Sequence, residues 1–265
     1  LELVRTVPYN SPIVELKDVS KWFGDARSGK RLVAIKKLNL VIPSDEEGEF
    51  VVLLGPSGCG KSTILGLISG LIRPDEGEVW VKGKLVTGPS PDSATVPQMY
   101  TCFPWLTAIG NVEFGLAVQG MSKDQRRRVA AKYLRKVGLE DRIDARPGEL
   151  SGGMQQRVAI ARTLAIKPPI VLMDEPFGAL DAQTRGEMQQ MLLQLWKEEK
   201  NTIIFVTHDI SEALLLGDRV VMLSARPAHV VYDRQIDFPR PREQSLTYRR
   251  QFVKMSESLL DKLKP

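Results

Sequence analysis

An apolar run, Phe50-Val51-Val52-Leu53-Leu54, leads directly into Gly55-Pro56-Ser57-Gly58-Cys59-Gly60-Lys61-Ser62. No other feature limits the possible folds as much. An unbroken apolar run of this length reads as a strand buried on both faces, as in a parallel sheet. The segment after it fits the pattern G-x-x-x-x-G-K-[ST]. Its glycines let backbone N–H groups turn inward around a polyphosphate. Ile64, Leu65, Ile68, Leu71 and Ile72 then follow the spacing of an amphipathic helix, whose N-terminal dipole faces the same anion. In such a loop the lysine, here Lys61, reaches the β- and γ-phosphates, and the hydroxyl, here Ser62, ligates Mg²⁺. A ligand-free strand–helix turn is the bland alternative, and the flanking strand and helix argue against it.

Two more apolar runs end on residues with chemical capacity. Ile170-Val171-Leu172-Met173 runs into Asp174-Glu175, and Ile203-Ile204-Phe205-Val206 into Thr207-His208. Between them Met188, Met191, Leu192, Leu195 and Trp196 keep helical spacing and read as core. Strands alternating with helices predict an α/β fold with ligands beyond the carboxyl ends of the strands. Asp174 at such an end suits Mg²⁺ or its water, and Glu175 suits orientation and deprotonation of an attacking water. Asp-Glu after a strand is by itself a common solvated end, and a lone His is usually structural. The P-loop upstream favours the catalytic reading.

Segments 13–19 and 32–41 read as strands of more antiparallel character. The stretch 107–148 lacks strand-like runs and holds a helix near 123–136, so it reads as a helical insertion. After prolines at 227, 239 and 241 a helix is expected over about 246–263.

Composition narrows the rest. The 265 residues allow one or two domains with a full core. An apolar share of 43% and a charged share of 26% exclude wholesale disorder. Two cysteines, Cys59 and Cys102, and two histidines make neither a disulfide framework nor a multi-histidine metal site. No run approaches the roughly 20 apolar residues of a membrane span. The first residues hold no apolar signal core, so a cytosolic chain is expected. A net charge of +5 permits an acidic partner without choosing one, and Arg126-Arg127-Arg128 reads as a solvated helix face.

Leu150-Ser151-Gly152-Gly153-Met154-Gln155-Gln156-Arg157 decides the family. Physically, Ser151 caps a helix and the glycines let an anion approach the backbone. With the P-loop before it and Asp174-Glu175 after it, the chain resembles the ATP-binding subunit of ABC transporters over nearly its whole length. The resemblance implies a P-loop NTPase (RecA-like) α/β core with an antiparallel β subdomain and an inserted α-helical subdomain. It places one cassette over 13–260: the core with its β subdomain at 13–98 and 158–235, and the helical subdomain at 99–157. A helical tail occupies 236–265.

The resemblance also implies ATP and Mg²⁺ as ligands. ATP would lie on Gly55, Pro56, Ser57, Gly58, Cys59, Gly60, Lys61, Ser62 and Thr63, with Phe23 stacked on adenine and Trp22 as competitor beside an insertion-like stretch, 25–30. Mg²⁺ would meet Ser62, Gln98 and Asp174. Glu175, His208, Lys61 and Gln98 would serve catalysis. Ser151, Gly152, Gly153 and Asp181 would contact the ATP of a second subunit, identical or not. Pro97 stands where most relatives carry an aromatic residue.

The resemblance is to bacterial importer ATPases for nitrate, sulfonate, taurine and related small solutes. It rests on the segments 103–107, 176–181, 223–227 and 238–242. It implies transmembrane permease subunits as partners, received near Gln98 and Trp105, and a substrate-binding protein in the full system. The location implied is peripheral, on the cytoplasmic side of the plasma (inner) membrane, with no nucleic acid bound. An interior position is the ordinary fate of a Trp such as Trp105. The rivals are a soluble ABC ATPase acting on nucleic acid or ribosomes, and a nucleotide-binding module without turnover. The first usually carries two cassettes or long heptads, and Glu175 with His208 speaks against the second.

Overall fold

The computed structural model describes residues 12–24, 31–99 and 101–263. Its strands are β1 (Val14–Phe23), β2 (Leu32–Ile42), β3 (Phe50–Leu54), β4 (Glu76–Val81), β5 (Lys84–Leu85), β6 (Ser93–Val96), β7 (Ile170–Asp174), β8 (Thr202–Thr207), β9 (Arg219–Leu223) and β10 (Val230–Gln235). Its helices are α1 (Lys61–Ile68), α2 (Ala108–Val118), α3 (Lys123–Lys136), α4 (Gly152–Ala165), α5 (Ala182–Glu199), α6 (Ile210–Leu216) and α7 (Arg250–Leu263).

The central sheet has the order β10-β9-β3-β8-β7-β6. Every neighbour in it pairs in parallel except β10, which lies antiparallel on β9. The three apolar runs are β3, β7 and β8, and their lack of alternation has a direct cause. Phe50, Val52 and Leu54 join one hydrophobic cluster with Val171, Met173, Ile203 and Phe205. Val51 and Leu53 join the other, with Ile170, Leu172, Ile204 and Val206. Both faces of the sheet are buried, so both sets of side chains are apolar.

On one face α1 packs with a second, antiparallel sheet of order β2-β1-β4-β5. This is the antiparallel character expected for 13–19 and 32–41. On the other face lie α2 to α7. Helices α2, α3 and α4 pack on one another, and the helix expected near 123–136 is α3. Helix α4 runs unbroken past residue 157 and lies against β6 and α5. Arg126 and Arg127 meet Glu113 and Asp144 at 3.8 and 3.7 Å on the surface of this helical unit. Both cysteines are free thiols.

The expected helix bounds need two corrections. Helix α1 stops at Ile68, because Gly70 takes φ +77°, which turns the chain. Leu71 is therefore 71% exposed, and Ile72 folds back so that its N–H donates to the Gly66 carbonyl at 2.9 Å. The C-terminal segment is two pieces. A 3-10 turn, Gln244–Tyr248, ends at an extended Arg249 (ψ 139°), and α7 starts at Arg250. The stretch 25–30 and the first eleven residues lie outside the described residues.

Candidate active site

Five parallel strands end at one edge of the central sheet. The residues after them are Gly55 (β3), Gln98 (just past β6), Glu175 (β7), His208 (β8) and Arg226 (beyond β9). A cavity of about 310 Å³ opens at this edge, lined by Phe23, Ser57, Gly58, Gly60, Lys61, Ser62, Thr63, Gln98, Glu175 and Arg226 with Leu32 and Ala34. Sequence positions as far apart as Phe23 and Arg226 thus share one wall.

The P-loop is tied down from several sides. Gly58 and Gly60 take φ +74° and +120°, conformations that L side chains rarely adopt. A Cβ on Gly60 would stand 3.2 Å from the Ala34 carbonyl of β2. Lys61 is 4% exposed, and its ammonium donates to the Gly55 and Pro56 carbonyls at 2.8 and 3.0 Å. A buried cation needs such partners. The ammonium also lies 3.5 Å from Glu175 Oε1. Cys59 is buried against Gly55, and burial pushes its thiol pKa up, so it packs the underside of the loop.

At the end of β7, the Ser62 hydroxyl donates to Asp174 Oδ1 at 2.9 Å. Burial raises the Asp174 carboxyl above its ordinary pKa, against the bond from Ser62. Hydroxyl and carboxylate oxygens in contact, with the Gln98 amide on the same cavity, form a hard-oxygen set that fits Mg²⁺. Glu175 takes φ +41°, a left-handed conformation that a non-glycine residue adopts at a cost. Its N–H donates to the Val206 carbonyl at 3.0 Å and its own carbonyl accepts from Gly178 N at 3.1 Å. Held this way, its Oε2 stands 3.0 Å from His208 Nδ1. Glu175 therefore lies between the buried lysine and the half-exposed histidine.

The structure separates the two competing rings. Phe23 is 40% exposed and lines the P-loop cavity. Trp22 faces another hollow, where the Arg31 guanidinium covers its ring at 3.5 Å. Trp105 is 68% exposed and so is not an interior residue. It stacks on Phe103, whose backbone is held by the buried amide of Asn111.

Ser151, Gly152, Gly153 and Asp181 do not line the P-loop cavity of their own chain. Ser151 is the N-cap of α4 and accepts from Met154 N at 3.3 Å, and Gly152 is the first residue of that helix. A Cβ on Gly153 would stand 3.0 Å from Thr184 Cγ2, so α4 packs closely on the first turn of α5. Asp181 caps α5 by accepting from Gln183 N and Thr184 N at 3.1 and 3.0 Å, and the bonds from Thr184 lower its carboxyl pKa. The two helix starts thus share one surface.

Sequence reasoning missed Arg226 as a site residue. Its Nε donates to the Gly58 carbonyl at 3.0 Å, and it lines the cavity. The signal was present in Ser224-Ala225-Arg226-Pro227, a cation just past a strand end. Without the pairing of β9 with β3, nothing put that end beside the P-loop.

Comparison with known proteins agrees with this architecture. Residues 36–178 match the family model described as ABC transporter. The nitrate import ATP-binding protein NrtD of Synechocystis sp. is 46% identical over 230 residues, 87% of this chain and 85% of its own length. The bicarbonate transport ATP-binding protein CmpD of the same organism is 45% identical over 253 residues, 92% of this chain and 88% of its own length. Among solved structures, a dimeric ATP-binding cassette in a post-hydrolysis state, bound to ADP and Pi, superimposes with a TM-score of 0.73 at 37% identity. That match covers 85% of this chain and all of the other. These relatives give no support to the rival soluble ATPase working on nucleic acid. The chain belongs to the ABC transporter family, as an ATP-binding, ATP-hydrolysing cassette.

Proposed function

We propose that the cassette hydrolyses MgATP at the P-loop edge and uses the cycle to drive a membrane importer of nitrate, bicarbonate or a similar small solute. The observation that carries the catalytic part is Glu175. It sits 3.5 Å from the Lys61 ammonium and 3.0 Å from His208, beside the Ser62–Asp174 pair. Phosphoryl transfer to water asks a protein mainly for positioning and for charge stabilisation. The loop amides around Gly58 and Gly60 and the N-terminus of α1 receive the phosphates. Lys61 exchanges its carbonyl partners for the β- and γ-phosphates. Phe23 offers its exposed face to adenine, at the far side of the cavity.

Ser62, Asp174 and Gln98 would hold Mg²⁺, which when bound neutralises charge on the β- and γ-phosphates. Glu175 orients the attacking water and takes its proton, and His208 holds Glu175 and faces the γ-phosphate. Ser151, Gly152, Gly153 and Asp181 complete the site of a second cassette. They lie together on a surface away from their own P-loop, and a two-fold pair would bring each set to the partner's nucleotide. The related cassette solved with ADP and Pi is a dimer, which supports this pairing.

The output surface is the exposed ring of Trp105 with Phe114, both packed on Phe103, and with exposed Met99, the residue after Gln98. A permease helix docked there would read the state of Gln98. No helix of the described residues is long and apolar enough to cross a membrane, and the proposed location is peripheral, on the cytoplasmic face of the plasma (inner) membrane. Gentle purification from membranes tests the transport assignment. A permease subunit should co-purify and be lost on exchange of Trp105 for Glu. Recovery with RNA or DNA and no membrane protein would contradict it.

A further inference from the structure

The end of α6 next to His208 is joined to the C-terminal tail by a buried polar chain. Glu212, in the first turn of α6, is buried. Its carboxylate accepts from Gln189 Nε2 on α5 at 3.0 Å, and Gln189 Oε1 accepts from Gln244 Nε2 at 2.8 Å. Gln244 opens the 3-10 turn of the tail. The Thr207 side chain faces the Glu212 carboxyl and lowers its pKa against burial. The Thr207 hydroxyl oxygen accepts from Asp209 N at 3.0 Å, and Asp209 Oδ1 accepts from the Glu212 N–H at 3.0 Å. Thr207 and Asp209, on either side of His208, therefore both meet Glu212, Thr207 at its side chain and Asp209 at its backbone N–H. Glu212, His208, Glu175 and Arg185 line a single small cavity of about 40 Å³.

Two charged groups face Glu212 within this cluster. Asp209 raises its carboxyl pKa and Arg185 lowers it, while burial is the dominant cause of its upward displacement. Arg185 also donates to the Leu180 carbonyl at 3.0 Å, just ahead of Asp181, and lies 4.0 Å from Asp209. The far end of α6 is held by the tail as well. Arg242 is buried, its pKa pulled down to about 10 by desolvation. It donates to the Leu214 and Gly217 carbonyls, which a helix C-terminus leaves without intrahelical partners. Arg240 donates to the Leu216 carbonyl at 2.6 Å and to Asp218 at 2.7 Å. The tail thus reaches both ends of α6, the helix that follows His208: directly at its C-terminus, and through Gln189 at its first turn. A buried polar cluster is weak support for stability, because an apolar core would serve as well.

We propose that Glu212 is a positioning residue for hydrolysis, fixing the 207–209 loop so that His208 meets Glu175, and that Gln244 of the tail holds Glu212 in place through Gln189. The proposal rests on Glu175 and His208 being the hydrolytic pair. Displacement of a reacting group by about 1 Å costs on the order of a hundredfold in rate. Glu212→Leu should therefore lower kcat by about tenfold or more with the KM for ATP within about twofold. Glu212→Gln, which keeps a polar partner for Thr207 and Gln189, should restore most of kcat. Gln244→Ala should lower kcat by about threefold in the same KM-independent way. Gln190→Ala removes a different bond to the tail, Gln190 Nε2 to the Arg242 carbonyl, and should leave kcat unchanged. Because Gln244 is on the protein surface side of the chain of bonds, its variant keeps the test valid even if Glu212→Leu does not fold. Wild-type kcat in both Glu212→Leu and Gln244→Ala would overturn the proposal, as would equal losses in Gln190→Ala and Gln244→Ala. Glu175→Gln separates the two levels. If it keeps turnover, the hydrolytic reading itself fails. If it abolishes turnover while Glu212→Leu is normal, only the present inference fails.

Discussion

The P-loop and the start of α4 are both helix N-termini furnished with small residues, yet they are built for different situations. The P-loop lies inside a wall of five strand ends, with a 4%-exposed lysine and an Arg226 clamp from the loop after β9. The start of α4 faces outward, with Ser151 exposed and its oxygen occupied by the Met154 N–H of its own helix. In the proposed cycle one region grips a polyphosphate alone. The other offers a dipole and a cap, and needs a charge brought to it. In this account binding is completed within one chain and hydrolysis between two.

That contrast can be broken or sharpened by substitution. Glu175→Gln removes the base while leaving the P-loop bonds, so turnover should fall by roughly 10²–10⁴-fold with nucleotide affinity kept. A phosphate-release assay beside equilibrium binding checks this, and near-normal turnover would sink the assignment. Ser151→Arg places bulk and charge on the outward helix start. Turnover should drop by about a hundredfold, while ATP binding to the isolated chain changes little. If monomer binding weakens instead, α4 serves its own P-loop and the contrast collapses. Arg226→Ala removes an exposed charge-assisted hydrogen bond from the loop, worth about 1.5 kcal/mol at the low end of its class, so ATP affinity should weaken by roughly tenfold with kcat little changed. Phe23→Ala removes one stacking face and should weaken ATP binding by about threefold, whereas Trp22→Ala should leave it unaltered in a nucleotide titration.

The parts of the site that were legible are those coded locally. The loop 55–62, the Asp174-Glu175 step and the Ser151 cap each sit within a few residues of the run that forms their element. Strands buried on both faces announce themselves, as β3, β7 and β8 did. Strand β6 did not, because Ser93, Ala94 and Thr95 are only half-buried at the sheet edge and carry no apolar signal. Arg226 was hidden for a topological reason: its partner Gly58 is 168 residues away. The tail hides a contact of the same kind. Nothing local in Arg240-Pro241-Arg242 says that Arg242 is buried, and it is buried because its guanidinium donates to the carbonyls at the end of α6. Leu71 is misplaced for a local reason, since the apolar periodicity continues past Gly70, whose left-handed backbone turns the chain.

The division between binding in one chain and hydrolysis across two is tested most directly by the mass of the protein in solution. Sedimentation of Glu175→Gln should show a monomer without nucleotide and a dimer with saturating MgATP, and adding Ser151→Arg should return it to a monomer that still binds ATP. A Glu175→Gln chain that remains monomeric at saturating MgATP, or a double variant that dimerises as readily as the single one, would contradict the account.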